Sequence, residues 1–522
     1  MGVARTIAKN SLFQFIATAA TTSATFVVGI VLARYLGAEQ YGIYSFMTWF
    51  LTLALLAANI GIGEMTKRFV AEAVGQQNNR SRKGIVQLAI MGRGFLSLFV
   101  SVLVIVFSGQ LANLFNMPTA QVYFIIIGAT IFPSAMTSIF INILAGFQKY
   151  EYFSYIELAI SLLRVGLVIT IMVLGFGVRE TLLMFAGTMV VGMFLGIFFT
   201  NRLEPIRGLF LHSLLEPAVR TEAIKYSLAA MGILGVDYFL WQNAEVLFLG
   251  LYRPAVEVGY YNIANRIPSV LVVIIPFVFG QVLLPAVSEL FGKGDMEKIK
   301  RIYVTAARYL MILSFPLATV GIALAGPVIK LLFGPEYTPA IVLMQIIFIP
   351  IALRGLTFAN SSIIYGIKEP GYLLKIGAIL VCLSIGLNLW LIPDHGAIGA
   401  VIATGIPRVI ALPIYILFVS KKIRTPWPVS DTIKIALASV VIGAMAFVLQ
   451  YYVHSPILSI CLSIPICIVV FVAVLLSLGV IKTSDLIVLK KVEMQLPSPL
   501  RRGFMVLIGV LDKFARHDSD VA

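Results

Sequence analysis

The sequence predicts an all-α integral membrane fold of about fourteen transmembrane helices, arranged as two parallel six-helix repeats plus two C-terminal helices. Three observations predict it: a sustained apolar composition, a one-sided distribution of basic residues, and an internal match at a fixed offset. Of 522 residues, 60% are apolar and only 12% charged, and the mean hydropathy is +0.98. Water-soluble globular chains carry about 25% charged residues, so the bilayer is the solvent here.

A membrane helix needs about 20 mostly apolar residues, and fourteen such runs occur. The first six span 12–33, 41–62, 85–107, 122–145, 156–176 and 181–200. The next six span 226–250, 263–287, 304–325, 340–365, 373–392 and 397–418, and the last two 433–453 and 457–479. Continuous runs of this kind exclude a membrane β-barrel, whose strands are about ten residues long and alternate in polarity. The first run is too long, and too rich in Thr and Ala, for a cleavable signal peptide, and Arg34 and Tyr35 follow it in place of a small-residue cleavage site. The organisation that follows is an N-terminal lobe at 1–200, a cytoplasmic inter-lobe linker at 201–225, a C-terminal lobe at 226–419, an accessory helix pair at 420–479, and a basic amphipathic tail at 480–522. In that tail Phe504, Leu507, Leu511 and Phe514 share one helical face near Arg501 and Arg502, the pattern of an interfacial helix.

The net charge of +15 follows from topology. With the N-terminus in the cytoplasm, 28 basic residues fall on the cytoplasmic side and 4 on the other (Arg34, Arg179, Arg253 and Lys330). That asymmetry places both termini in the cytoplasm and requires an even number of spans. It also explains the excess of positive charge by attraction to anionic lipid, leaving none to attribute to nucleic acid. The three cysteines, Cys382, Cys461 and Cys467, all lie within spans. They read as small buried hydrophobes rather than a disulfide framework or metal cluster.

The chain matches itself 217 residues on. Gly42-Ile43-Tyr44 pairs with Gly259-Tyr260-Tyr261, Glu72-Ala73-Val74-Gly75 with Glu289-Leu290-Phe291-Gly292, and Pro133 with Pro350. The copies are separated by an even number of spans, so both insert in the same orientation, about an axis along the membrane normal. Prolines at 133, 268, 276, 316, 350, 407 and 413 fall within spans. Each removes a helical hydrogen bond, producing a kink that suits a gate or cavity wall and equally a static bend.

An ionisable group at mid-bilayer costs about 2.5 to 3.5 kcal/mol on insertion scales, so each needs a partner, a cavity or an escape to the interface. The candidates are Arg93, Arg164, Arg266, Arg354 and Arg408, against Asp237 and Glu245. Structural pairing accounts for some of them. The excess of five cations over two anions also suits an anionic ligand, since a guanidinium fork binds phosphate oxygens bidentately and stays charged when desolvated. Asp237 and Glu245 are candidates for ion coupling or charge pairing. Gln14, Thr18 and Thr21 follow helical spacing on one face of the first span, beside Thr22 and Thr25. With Asn142, Trp241, Gln242, Asn243, Asn262, Asn265 and Gln281 they form polar stripes, which either join helices by hydrogen bonds or line a cavity that contacts sugar hydroxyls.

Catalytic signatures are missing. The sequence has no phosphate-binding loop, no H-E-x-x-H and no cysteine-based zinc pattern, and its outward loops are short. Neither catalytic residues, a metal nor a cofactor is expected.

Across its whole length the sequence resembles the Wzx-type oligosaccharide flippases of the multidrug/oligosaccharidyl-lipid/polysaccharide exporter superfamily. The resemblance rests on Ala8-Lys9-Asn10-Ser11, on the stretch from Arg34 to Tyr44, and on the stretch from Val258 to Ile267. It implies a MATE-like fold in which two six-helix lobes enclose a cavity open alternately to either side of the cell membrane. It implies a lipid-linked oligosaccharide as cargo, no enzymatic activity, and Arg266 as the best-matched cavity cation. The implied partners are the lipid-linked glycan, membrane lipids, and glycosyltransferases or a polymerase of the same pathway, around a monomer. Two other readings remain open, an ion-coupled multidrug exporter and a non-transporting scaffold of a glycan-synthesis complex. The first typically keeps a carboxylate on span one, and none occurs here.

Overall fold

The computed structural model describes residues 2–205, 215–241, 244–481 and 485. Every extended regular element among them is an α-helix. In chain order these are α1 (Gly2–Ala57), α2 (Ile62–Gly75), α3 (Asn79–Val106), α4 (Ser108–Leu114), α5 (Gln121–Gly146), α6 (Tyr150–Leu174), α7 (Val178–Leu203) and α8 (Pro217–Trp241). There follow α9 (Glu245–Tyr252), α10 (Ala255–Gly292), α11 (Met296–Leu332), α12 (Ala340–Gly366), α13 (Pro370–Ile423), α14 (Val429–Tyr452) and α15 (Pro456–Ser477).

Eleven of the described helical stretches are long and apolar enough to cross a membrane, and two of them each join two helices across a kink. Each of those two runs through two expected spans. Helix α1 passes through 12–33 and 41–62 with Gly37 non-helical between them (φ 75°, ψ 172°). Helix α13 passes through 373–392 and 397–418 with Gly396 non-helical (φ 55°, ψ −135°). Both geometries need a positive φ, which glycine adopts without a Cβ penalty. The run expected at 226–250 is divided between α8 and α9. Glu245 opens the second piece, where a carboxylate suits the unsatisfied N–H groups of a helix start.

Local signals set the ends. Asn78 caps α3 by accepting from the Ser81 N–H at 2.9 Å, Asp295 caps α11 through the Lys298 N–H at 3.1 Å, and Gly175 in left-handed geometry closes α6. Large apolar side chains also point outward. Phe95, Leu162, Val173, Trp390 and Leu417 are 71% to 78% exposed, which water would penalise and lipid tails do not.

The chain packs as two compact units, Met1–Ile263 with Gly377–Thr404, and Ala264–Ile376 with Gly405–Ala522. In the first, α5 is the central helix and lies against α3, α6 and α7, while α1 lies along α6. Its apolar core is built on Phe69, Val70, Val86, Ile139, Phe140 and Ile143. In the second, α11 is central, against α12, α14 and α15.

Within the first unit the repeat-related glycines meet. A Cβ added at Gly42 would stand 2.0 Å from the Ala255 carbonyl oxygen, and one at Gly259 would stand 2.7 Å from the Ala38 carbonyl oxygen and 3.2 Å from the Gly42 Cα. Two backbones approach this closely only where neither carries a side chain. Gly42→Val is expected to destabilise the protein by about 1 to 3 kcal/mol through overpacking, read as a lower melting temperature in detergent. Gly166→Ala, whose added methyl meets nothing within 4 Å, should leave the melting temperature unchanged or raise it.

Candidate functional site

Four helices of the first unit line a half-open cavity of about 460 Å³, within the usual range for small-molecule sites. The second half of α1 contributes Thr48, Leu51, Thr52 and Leu55. Helix α5 contributes Ser134, Thr137, Ser138, Ile141 and Asn142, α6 Glu157, Ile160 and Arg164, and α7 Phe185 and Met189. Polar residues recur on α5 at 134, 137, 138 and 142 because positions three and four apart share a helical face. Glu157 and Arg164, seven residues apart, share a face of α6 for the same reason.

The Arg164 guanidinium is held by soft contacts. It lies over the Phe185 ring at 4.6 Å from the centroid, and its Nη2 is 3.9 Å from the Met189 sulfur. Its Nε is buried with no hydrogen-bond partner among the described residues, and the Ser134 hydroxyl in the same cavity is likewise buried and unpartnered. Buried polar groups in folded proteins are almost always hydrogen-bonded, and an exception calls for an explanation such as a bound ion or water. Glu157 carries the opposite charge on the same face of α6, yet no ion pair forms between the two among the described residues. Instead the Thr21 hydroxyl donates to Glu157 Oε2 at 3.2 Å, and Ser161 donates to Thr21 at 3.2 Å. Part of the span-one polar stripe therefore fixes the carboxylate.

The other candidates are dispersed. Arg93 is 3% exposed and donates to the Leu55 carbonyl at 3.1 Å, which closes a helix end and takes it out of the cavity lining. Arg266, Arg354 and Arg408 belong to the second unit; Arg408 is buried, Arg266 and Arg354 are half-buried, and all three make contacts of their own. Glu245 is fully buried and accepts from the Tyr261 hydroxyl, while Asp237 is exposed. Asn142 lines the cavity with its amide donating to the Ser138 carbonyl at 2.9 Å. Asn262 donates to the Val258 carbonyl, and Asn265 accepts from Ser269. Gln14 and Thr18 are exposed. Gln242, Asn243 and the side chains of Trp241 and Gln281 lie outside the described residues.

Sequence reasoning overlooked the half-buried Glu157 and the buried charges Glu204, Arg308 and Asp485. Glu157 stands at the edge of its span and reads as interfacial. Arg308 on α11 is 5% exposed and is ion-paired with Asp485, which also accepts from the Tyr309 hydroxyl at 2.5 Å. Among the described residues no group of three or more His, Cys, Asp or Glu is placed to hold a metal ion.

Comparison with known proteins places this architecture. A family model described as "Polysaccharide biosynthesis protein" matches residues 31–342. The chain is 24% identical over 453 residues to a probable flippase, AglR, of Haloferax volcanii, covering 85% of this chain and 89% of that one. Among solved structures it resembles the lipid II flippase MurJ in an inward closed conformation, with a TM-score of 0.71 at 15% identity over 89% of this chain and 97% of that one. An inward-facing multidrug resistance MATE transporter of the MOP superfamily follows with a TM-score of 0.63 at 18% identity, covering 77% and 94%. At these identities the structural likeness establishes the fold, that of MurJ and the MATE transporters.

Proposed function

Because the chain belongs to the polysaccharide biosynthesis protein family, we propose that it is a flippase, which carries a lipid-linked oligosaccharide or polysaccharide precursor from the cytoplasmic to the outer face of the cell membrane. It performs no bond chemistry. One observation carries the reading: within the depth of a membrane span, Arg164 lines a partly polar cavity with its Nε lacking a hydrogen-bond partner among the described residues. A phosphate or diphosphate supplies that partner, and it is the charged part of every lipid-linked glycan. The carrier lipid's tail stays in the bilayer while the head group enters between the helices. Alternating access by two six-helix lobes, 1–200 and 226–419, with 420–479 as an accessory pair and both termini in the cytoplasm, then carries the head group across. The related AglR is itself described as a probable flippase. Glycosyltransferases or a polymerase of the same pathway are the expected neighbours of a monomer.

The likeness to multidrug transporters keeps a drug exporter as the second reading. Arg164 weighs against it, since a cation at the cavity wall repels the cationic drugs that such exporters carry. The test is translocation in proteoliposomes. A farnesyl diphosphate bearing a fluorescent disaccharide, placed on one leaflet, should become accessible to a lectin on the other only when the protein is present. Transport of an organic cation with the glycan lipid left immobile would establish the exporter instead.

A further inference from the structure

Resting on the reading of Arg164 as the phosphate-holding residue, we infer that Glu157 selects the sugar attached to that phosphate, admitting neutral or amino sugars and excluding acidic ones. Both residues line one cavity and lie on one face of α6. Seven residues of helix separate them by about 10 Å along the axis, room for one phosphate and the ring that follows it. A head group anchored at Arg164 with its glycan running toward the Tyr150 end of α6 therefore lays its first ring beside the Glu157 carboxylate.

Glu157 is equipped to read that ring. Thr21 holds one of its oxygens, and Ser161 holds Thr21 in turn, so the carboxylate is oriented while its remaining acceptor positions stay unengaged among the described residues. A carboxylate accepts hydrogen bonds from sugar hydroxyls or from an amino group, and these charge-assisted bonds are stronger than neutral ones. Asn142 and Ser138 add uncharged polar atoms to the same cavity. A uronic acid brings a second carboxylate to this place. Two like charges separated by roughly 6 to 8 Å at the effective dielectric of a partly wet protein site disfavour binding by about ten- to a hundredfold. Arg164, occupied by the phosphate, has no capacity left to offset it.

Equilibrium binding in detergent to two probes tests this, namely farnesyl diphosphate carrying glucose and the same lipid carrying glucuronic acid, which differ only at the sugar C6. The wild-type protein should bind the glucose probe at least about tenfold more tightly. Glu157→Gln should narrow the ratio to about two- or threefold by gaining affinity for the glucuronate probe, and Glu157→Asp, which restores the charge, should keep the preference. Equal wild-type binding of both probes overturns the inference while leaving the flippase reading intact, and requires no variant to fold. Failure of the wild-type protein to bind either probe overturns the flippase reading and this inference together.

Discussion

Replacing Arg164 by alanine is expected to weaken binding of a farnesyl diphosphate sugar about a hundredfold, and to leave the protein as stable as before or more so. The loss is the bidentate, charge-assisted contact to phosphate, for which hydrogen bonds to charged groups are worth about 1.5 to 3 kcal/mol each. Arg164→Lys should recover part of it, because lysine supplies the charge without the planar fork. Stability should move the other way. Arg164 sits inside a membrane-crossing helix, rests on a ring and a sulfur, and leaves its Nε unpartnered. A side chain that costs about 2.5 to 3.5 kcal/mol at mid-bilayer and recovers little of it by packing is retained for function. Titration with the probe and a melting curve on the same two samples read both effects, and a large fall in melting temperature for the alanine variant would assign Arg164 a structural role instead.

Glu204, which caps the C-terminus of α7, is expected to behave oppositely. It is 1% exposed and is clasped by Arg82, whose Nε lies 2.8 Å and Nη2 2.7 Å from its Oε2, with Lys83 at 3.8 Å from Oε1. Breaking a buried pair by removing one partner typically costs 3 to 5 kcal/mol. The cations here are partly exposed, at 23% and 46%, and water compensates them in part, so Glu204→Ala should destabilise by about 2 to 4 kcal/mol. Arg82→Ala should be as damaging, because it strands the carboxylate. Melting curves of both variants in detergent measure this. Probe binding corrected for the folded fraction should remain at the wild-type level, since neither residue touches the cavity around Arg164.

The fold was legible where hydropathy decides it. Apolar runs and the placement of basic residues reveal which segments cross the bilayer, and the 217-residue offset brings out Gly42 and Gly259, which the structure packs against each other. The junctions were less legible. At Gly37 and at Gly396 a glycine in positive φ joins two expected spans across a kink, and hydropathy marks the break there but not its geometry. The site was legible in residue type but not in placement. Depth along the chain singles out Arg93 and Arg164 alike, yet the azimuth of a side chain about its helix is set by tertiary packing. Arg93 turns to the Leu55 carbonyl, and Arg164 turns into a cavity. The charge balance of five arginines against two carboxylates also omitted Glu157 and Arg308. The first lies one residue inside its span, and the second is neutralised by Asp485, 177 positions away, a contact that no local pattern records. The spacing of Glu157 and Arg164 on one helical face was the available signal.

The account stands on a phosphate binding at Arg164. A structure of the protein determined with a bound farnesyl diphosphate disaccharide tests this most directly. The diphosphate should lie within hydrogen-bond distance of the Arg164 guanidinium and the Ser134 hydroxyl, with its first sugar beside Glu157. Density for the diphosphate on other cations, with Arg164 still resting only on Phe185 and Met189, would contradict it.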